Sequence, residues 1–139
     1  MNVLKNNRGF TLVELMLVVI IIGILVAMVA PRLTGKSQQA RIAASQADIN
    51  AHLSTALDLF ELGVGRFPTT QEGLAALRTA PSGANGWKGP YLKRDVPNDP
   101  WGRKYAYRSP GQHNREDYDL FSYGPDGVEG GDDDVTNWQ

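Results

Sequence analysis

The residues best suited to chemistry lie near the C-terminus, in the stretch GPDGVEGGDDDVTNW. Asp126, Asp132, Asp133 and Asp134 place four carboxylates within nine positions, among glycines that allow backbone carbonyls to turn inward. Hard oxygen ligands of this kind suit calcium, which takes roughly six to eight of them. The spacing departs from the EF-hand template, because no Glu closes the loop. Composition alone therefore leaves two interpretations open, a calcium site and a solvated acidic loop, and favours the second.

A second residue in a distinctive setting is Glu14, the only charged residue in the apolar run from Phe10 to Ala30. The run has 21 residues. At a rise of about 1.5 Å per residue they form a helix of roughly 30 Å, the thickness of the hydrocarbon core of a bilayer. An unpaired charge in lipid costs at least about 2.5 kcal/mol, so we interpret the carboxylate as functional. The alternative is that Glu14 lies near the headgroups and reaches the aqueous interface.

The junction between Gly9 and Phe10 separates a short basic leader from the apolar run. A conventional signal peptide has its small-residue cleavage site after the apolar stretch, where this chain offers only a poor match in front of Pro31. Cleavage after Gly9 would instead create an α-amino group at Phe10, with an ordinary pKa of about 8 and so largely cationic at neutral pH. That cation is the partner Glu14 lacks. It would lie one helical turn before the carboxylate.

A long helix is the first element needed to position these residues. Apolar residues recur at helical spacing beyond Pro31, at Ile42, Ile49, Leu53, Ala56, Phe60 and Val64. The sequence predicts one long, possibly interrupted helix from Thr11 to Leu62, ended by Gly63 and Gly65. Its first half must lie in lipid or against copies of itself, and its second half against the C-terminal part. Gly23 and Pro31 are the flexible points, and they predict either a mild kink at the membrane exit or a segment that extends when the subunit leaves lipid.

The C-terminal part predicts a short helical turn, an ordered loop and a small sheet. Thr69 and Glu72 have capping-box spacing ahead of a short apolar face that Pro81 closes. Residues 82–99 are rich in Gly, Pro and Asn, and Trp87 and Tyr91 are expected to hold this loop on the core. A strand about residues 104–108 is expected to pair with residues 117–123. The fold class is therefore α+β, with a long N-terminal helix packed against a small antiparallel sheet.

Composition excludes several classes of function. The 14 basic and 15 acidic residues give a net charge of −1, which provides no basic patch for nucleic acid. Cysteine is absent, so the chain can form neither a disulfide nor a thiolate metal or redox site. His113 has no suggestive nucleophile beside it in sequence, and His52 lies on the predicted helix, where we expect a satisfied or exposed histidine rather than a ligand. We therefore expect no enzymatic activity.

The stretch KNNRGFTLVELMLVVIIIGILVAMVAP resembles the class III leader and N-terminal helix of type IV pilins and type II secretion pseudopilins. The resemblance implies that a prepilin peptidase cleaves after Gly9 and N-methylates Phe10, and that Glu14 is the assembly glutamate. FPTTQEGLAAL, VPNDPWGRKYAYRSPGQH and YDLFSYGPDGVEGGDDDVTNW are similar to the major pseudopilins of type II secretion systems. Type IV major pilins commonly close their C-terminal region with a disulfide, which this chain cannot form.

Because of the pseudopilin resemblance, a calcium site becomes the favoured interpretation of the acidic loop over a solvated loop. The resemblance implies a bound Ca2+ with side-chain ligands at Asp126, Asp133 and Asp134 and carbonyl ligands at Tyr123, Val128 and Gly131. It also implies a domain organisation of leader 1–9, transmembrane and assembly helix 10–30, and periplasmic domain 31–139. The last comprises an amphipathic helix 31–62, a connecting region 63–103, and the sheet with its calcium loop 104–139.

The function implied is that of the major structural subunit of the type II secretion pseudopilus. Basic residues flank the apolar run on both sides, so the orientation follows from the brevity of the leader: a single pass through the inner membrane, with the C-terminal domain in the periplasm. The subunit would polymerise through its N-terminal helix into a periplasmic filament that helps drive folded proteins through the outer-membrane secretin. Its partners would be copies of itself, the prepilin peptidase, minor pseudopilins and the inner-membrane assembly platform. Two alternatives are a type IV pilin for adhesion or motility and a monomeric membrane-anchored calcium-binding module.

Overall fold

The computed structural model describes residues 9–138, except for the side chains of residues 30–34. The leader residues Lys5 and Arg8 and the side chain of Pro31 lie outside the described part. The chain divides into two compact units, one ending at Ser37 and the other beginning at Gln38.

Helix α1, Leu12–Ala47, begins in the first unit. Its start is a reciprocal capping box, in which the Thr11 N–H donates to Glu14 Oε2 at 2.9 Å and the Glu14 N–H donates to Thr11 Oγ1 at 3.2 Å. The stretch Leu12–Val29 has a mean hydropathy of 3.1 and none of it is buried, so its length and composition suit a membrane span. Helix α1 continues through Gly23 and Pro31. The flexibility expected at these two residues stays a prediction.

In the second unit the helix passes through a π-helical segment, Asp48–Leu53, into α2, Ser54–Val64. A π-helix bonds residue i to residue i+5 and so holds about one residue more per turn than an α-helix. Gly65 ends α2 in a left-handed conformation with φ 84°, and its N–H donates to the Glu61 carbonyl at 2.7 Å. The predicted helix is therefore present, with a π-helical interruption in its C-terminal third and an end at Val64 rather than Leu62.

The hydrophobic core of the second unit lies between one face of this helix and the sheet. The helix contributes Ile49, Leu53, Leu57 and Phe60, all fully buried. The remaining buried members of this core come from the helix, a 3-10 turn, the strands and the residues just before the strands: Ala56, Leu74, Ala76, Leu77, Tyr105, Tyr107, Tyr118, Leu120 and Val135. Burial of this apolar area is the main stabilising contribution available to a chain without disulfides.

The sheet has three antiparallel strands in the order β1-β2-β3: Ala106–Arg108, Asp119–Ser122 and Val135–Thr136. Tyr107 lies opposite Leu120 in the first pair, and Ser122 lies opposite Val135 in the second. The two predicted strands are confirmed over shorter ranges, and with them the α+β class. The third strand was not predicted, because its two residues follow directly on the acidic loop.

The connecting region is held against the end of α2. The predicted capping box is present, with the Thr69 N–H donating to Glu72 Oε2 at 2.8 Å, and a 3-10 helix follows at Leu74–Leu77. Trp87 Nε1 donates to the Ala76 carbonyl at 2.9 Å and Tyr91 packs edge-on against Phe60, as expected for residues that hold the loop.

Two glycines meet where this loop returns to α2. A Cβ on Gly63 would lie 3.0 Å from the Gly86 carbonyl oxygen, and a Cβ on Gly86 would overlap the Gly63 carbonyl oxygen. The two backbones therefore touch directly.

Candidate metal centre and assembly segment

The acidic loop, defined here as residues 123–134, joins β2 to β3. The pairing of Ser122 with Val135 holds its two ends together, so the loop closes on itself as a hairpin connection. The C-terminal segment strengthens this closure, since the Asn137 N–H donates to the Leu120 carbonyl at 3.1 Å and the Leu120 N–H donates to Asn137 Oδ1 at 3.0 Å. The sheet therefore fixes where the loop begins and ends.

Asp126 and Asp133 are brought together across Gly131. The Asp126 N–H donates to Asp133 Oδ2 at 3.2 Å. A Cβ on Gly131 would overlap Asp133 Oδ1 and would lie 3.3 Å from Asp126 Oδ2, so both carboxylates approach the same point. Only glycine leaves that space to the carboxylate oxygens.

Asp134 presents an oxygen without a partner. Its Oδ2 accepts the Gly130 N–H at 2.8 Å, whereas Oδ1 is buried and has no hydrogen bond among the described residues. A buried acceptor left unsatisfied costs about 1–3 kcal/mol, more for a charged group. A cation at Oδ1 would remove that cost.

The three carbonyl positions have different surroundings. The Tyr123 carbonyl accepts the Gly127 N–H at 3.2 Å and the Gly131 carbonyl accepts the Asp134 N–H at 3.4 Å. A carbonyl has two lone pairs, so each can still bind a cation. Val128 is 63% exposed, and its N–H donates to Asp126 Oδ1 at 2.8 Å.

The donor set is oxygen only, which fits a hard cation such as calcium. Within the described part of the chain, however, no three acidic, histidine or cysteine side chains are gathered closely enough to form a metal site. Among the described residues, the structure thus brings the carboxylates of Asp126 and Asp133 to the same glycine and leaves Asp134, the next residue in sequence, with an unsatisfied oxygen.

The residues beneath the loop were not predicted from the sequence. Asp99, which is 4% exposed, accepts the Arg103 N–H at 2.7 Å through Oδ1 and the Ser122 hydroxyl at 2.5 Å through Oδ2. The Ser122 Oγ in turn accepts the Gly124 N–H at 3.2 Å. The available signal was Asp99-Pro100-Trp101-Gly102, a pattern typical of a turn whose carboxylate accepts bonds from the following backbone.

His113 belongs to a buried carboxylate network rather than to a reactive site. Burial would raise the pKa of Asp119, but bonds from the backbone N–H groups of Asn114, His113 and Gln112 outweigh it and hold that pKa below its ordinary value. The His113 ring lies 3.2 Å from Asp119 Oδ2 and stacks on Trp138 with centroids 4.0 Å apart. His52 on the helix lies 2.9 Å from Asp48 Oδ1.

In the N-terminal unit, Phe10 is 82% exposed, and the apolar residues that follow it to Val29 are exposed as well. Glu14 has a local partner that sequence analysis missed, since its Oε2 accepts both the N–H and the hydroxyl of Thr11, at 2.9 and 3.1 Å. The signal was the Thr-x-x-Glu spacing of a capping box. These bonds satisfy hydrogen-bonding capacity of the carboxylate, but Thr11 carries no positive charge to balance it.

Two family models match consecutive parts of the chain. One, described as the prokaryotic N-terminal methylation motif, covers residues 4–30. The other, described as type II secretion system protein G, covers residues 32–138. Together they span both units.

Relatives that match over nearly their whole length carry the name of the same family. The chain is 44% identical to the type II secretion system core protein G of Klebsiella pneumoniae, over 97% of this chain and 96% of the relative. It is 44% identical to that of Escherichia coli K12, over 99% and 95%, and 42% identical to that of Vibrio cholerae, over 99% and 96%.

A solved structure gives the same result. The crystal structure of the major pseudopilin from the type 2 secretion system of enterohaemorrhagic Escherichia coli superposes with a TM-score of 0.67 at 37% identity, over 76% of this chain and 89% of that one. By sequence over nearly its whole length and by fold, the chain belongs to the type II secretion system protein G family.

Proposed function

We propose that this chain is the major structural subunit of a type II secretion pseudopilus. It is anchored by a single pass in the inner membrane, with residues 31–139 in the periplasm. It polymerises through its N-terminal helix into a filament that helps drive folded proteins through the outer-membrane secretin. The chain acts by assembly and not by catalysis, with its own copies, the minor pseudopilins and the inner-membrane assembly platform as partners.

The observation that carries this proposal is the exposed apolar surface of Leu12–Val29, in which only Glu14 is charged. A continuous apolar surface of this extent has to be covered by lipid or by protein. A membrane covers it before assembly, and identical helices cover it in a filament, where heterologous contacts that do not close into a ring allow open helical growth.

Glu14 fixes the register of that packing. Prepilin peptidase cleaves after Gly9 and methylates the new N-terminus at Phe10. The resulting amine pairs with Glu14 of an adjacent subunit, and the attraction strengthens as the helices exclude water and the effective dielectric falls.

Two substitutions separate this pairing from the capping box. Glu14→Ala removes both the charge and the cap, whereas Glu14→Gln keeps an oxygen that accepts the Thr11 N–H and removes only the charge. Both variants should be processed, with an N-terminal mass that begins at methylated Phe10, because cleavage depends on the leader and the apolar run. Filaments sheared from cells that overproduce each variant should be lost in both.

A normal filament yield from Glu14→Gln would refute the charge pairing and would leave the capping box as the role of Glu14. A mature mass that begins at Met1 would refute the proposed processing.

We further propose that the acidic loop binds Ca2+ through the side chains of Asp126, Asp133 and Asp134 and the carbonyls of Tyr123, Val128 and Gly131. Support comes from the two carboxylates that converge beside Gly131 and from the unsatisfied, buried Oδ1 of Asp134. A bound divalent cation would neutralise the repulsion between the carboxylates and tie the loop to the end of β2.

A further inference from the structure

Arg103 lies directly beneath the first turn of the acidic loop, residues 124–127. Its Nη2 donates to the Gly124 carbonyl. Its Nη1 lies 2.7 Å, and its Cζ 3.0 Å, from the position that a Cβ on Gly127 would take. One guanidinium therefore contacts both ends of the turn that carries Asp126.

The backbone of Arg103 is itself fixed. Its N–H donates to Asp99 Oδ1 at 2.7 Å, and its carbonyl accepts the Asp99 N–H at 2.6 Å. Asp99 also accepts a hydrogen bond from the hydroxyl of Ser122, the last residue of β2. One buried carboxylate therefore holds both Arg103 and the strand end from which the loop departs. Arg103 thus acts from a rigid position.

Arg108 contacts the middle of the loop from the same segment of chain. Its Nη1 and Nη2 each donate to a carboxylate oxygen of Glu129 at 2.7 Å, in a bidentate pair. The guanidinium also lies 5.2 Å from the centroid of the Phe121 ring. Five positions apart, two arginines thus contact two points of the acidic loop.

We infer that Arg103 and Arg108 form an arginine clamp that positions the acidic loop before any cation binds. The benefit of such a clamp rests on the proposed calcium binding, because it would hold the ligands in place for the ion. Its contacts with the loop do not require calcium. A guanidinium stays charged at every accessible pH and presents several donors in a fixed plane, so it can hold a carbonyl and a turn at once. It also offsets part of the repulsion among the nearby carboxylates.

Amide hydrogen exchange of the full chain in detergent, with chelator present, tests the clamp directly. The reporting amides are Gly127, Val128 and Gly130, which donate within the loop to Tyr123, Asp126 and Asp134. The Tyr91 amide, which donates to the Leu77 carbonyl at 2.8 Å, reports on the fold as a whole. Exchange rates measure local opening.

Arg103→Gln should speed exchange at Gly127 and Val128 about tenfold and leave Tyr91 unchanged, as expected for loss of a charged hydrogen bond. Arg103→Lys should have the same effect, because an ammonium cannot contact Gly124 and Gly127 together. If Arg103→Gln does not fold, Arg103→Lys alone tests the role of Arg103. Arg108→Gln should act at Gly130 instead. The matched control, Arg115→Gln, changes an exposed arginine and should leave exchange as in the wild type.

Equal exchange in Arg103→Lys and the wild type would overturn the clamp, as would loop amides of the wild type that exchange without protection in chelator. A second arm adds calcium. If calcium slows exchange in the wild type, the proposed metal site is supported as well. If calcium changes nothing while the arginine variants still loosen the loop, the clamp stands and the calcium proposal fails.

Discussion

Glu72 illustrates how much one carboxylate on the surface of this fold can connect. Arg66 donates to both of its oxygens, at 2.7 and 2.8 Å, and the Thr69 N–H adds a third bond. The hydrogen bond from Arg66 is the main reason that the pKa of Glu72 falls to about 2, against the opposing effect of burial. The ion pair between Arg66 and Glu72 therefore joins the end of the long helix to the segment that precedes the 3-10 turn.

Replacing Glu72 with Gln should make stability depend less on pH in the acid range. The folded pKa is depressed, so the ionised carboxylate contributes stability that is full above the unfolded value of about 4.5 and is lost as pH falls through about 2. Gln keeps the bond from Thr69 and removes the charge. The difference in free energy of unfolding between wild type and Glu72→Gln, measured by denaturant titration in chelator, should shrink to zero over that window.

Glu116→Gln, at an exposed carboxylate, serves as the control and should follow the wild type at each pH. A gap between wild type and Glu72→Gln that is as large near pH 2 as at neutral pH would contradict this account of the ion pair.

At the scale of elements, the π-helical segment Asp48–Leu53 joins the helix to the hydrophobic core and to the residue just before β1. Asp48 lies at its start, where Oδ2 accepts the Tyr105 hydroxyl at 2.9 Å, while Ile49 and Leu53 enter the core. Because the segment holds about one residue more than α-helical turns would, a deletion there can be absorbed by conversion to α-helix.

Deletion of the exposed Ala51 should therefore leave a folded domain with a cooperative thermal transition. Deletion of Leu59, which is also exposed but lies in regular α-helix, should rotate the buried residues before it by about 100° and abolish the transition. The thermal unfolding transitions of the two variants can be compared by circular dichroism. Loss of the transition in the Ala51 deletion would show that the extra residue is required by the fold.

Elements were predictable where the information was local. The helix, the capping box of Thr69 and Glu72, and the strands around Tyr107 and Leu120 follow from periodicity and spacing. The π segment could not be predicted, since apolar residues at Ile49 and Leu53 have the spacing of any helix. Strand β3 exists through its pairing with β2, and two residues carry no strand signal of their own.

The candidate site was predictable only in part for the same reason. The acidic residues and glycines of the loop identify its chemistry in sequence. The contact of Arg103 with Gly124 depends instead on how the turn after Asp99 meets a loop about twenty positions later, which is a property of the folded chain.

At the scale of the whole molecule, calcium should govern how stable the subunit is. A ligand that binds only the folded form stabilises by RT ln(1 + [Ca]/Kd), about 2.7 kcal/mol at a hundredfold excess over Kd. This is a large share of the stability expected for a small domain without disulfides. The contribution should fade in acid, because ligation requires ionised carboxylates.

Thermal unfolding of the full chain should accordingly show a midpoint that rises with calcium and falls with chelator. Asp133→Ala should lose this response. Asp132→Ala, at the exposed neighbour outside the proposed ligand set, should keep it. A midpoint indifferent to calcium in the wild type would mean that the acidic loop is merely solvated.

The direct contact between the backbones of Gly63 and Gly86 also constrains how this fold can diverge among descendants. A side chain gained at one position cannot be compensated by a smaller residue at the other, since neither has a side chain to lose. No single substitution at either glycine is therefore neutral, and both glycines should be retained as the sequence diverges. The neighbouring Leu62 is 83% exposed and is free to vary. Residues added to the loop before Gly86 are compatible with the fold as long as the chain returns to this same point, so length can diversify where composition cannot.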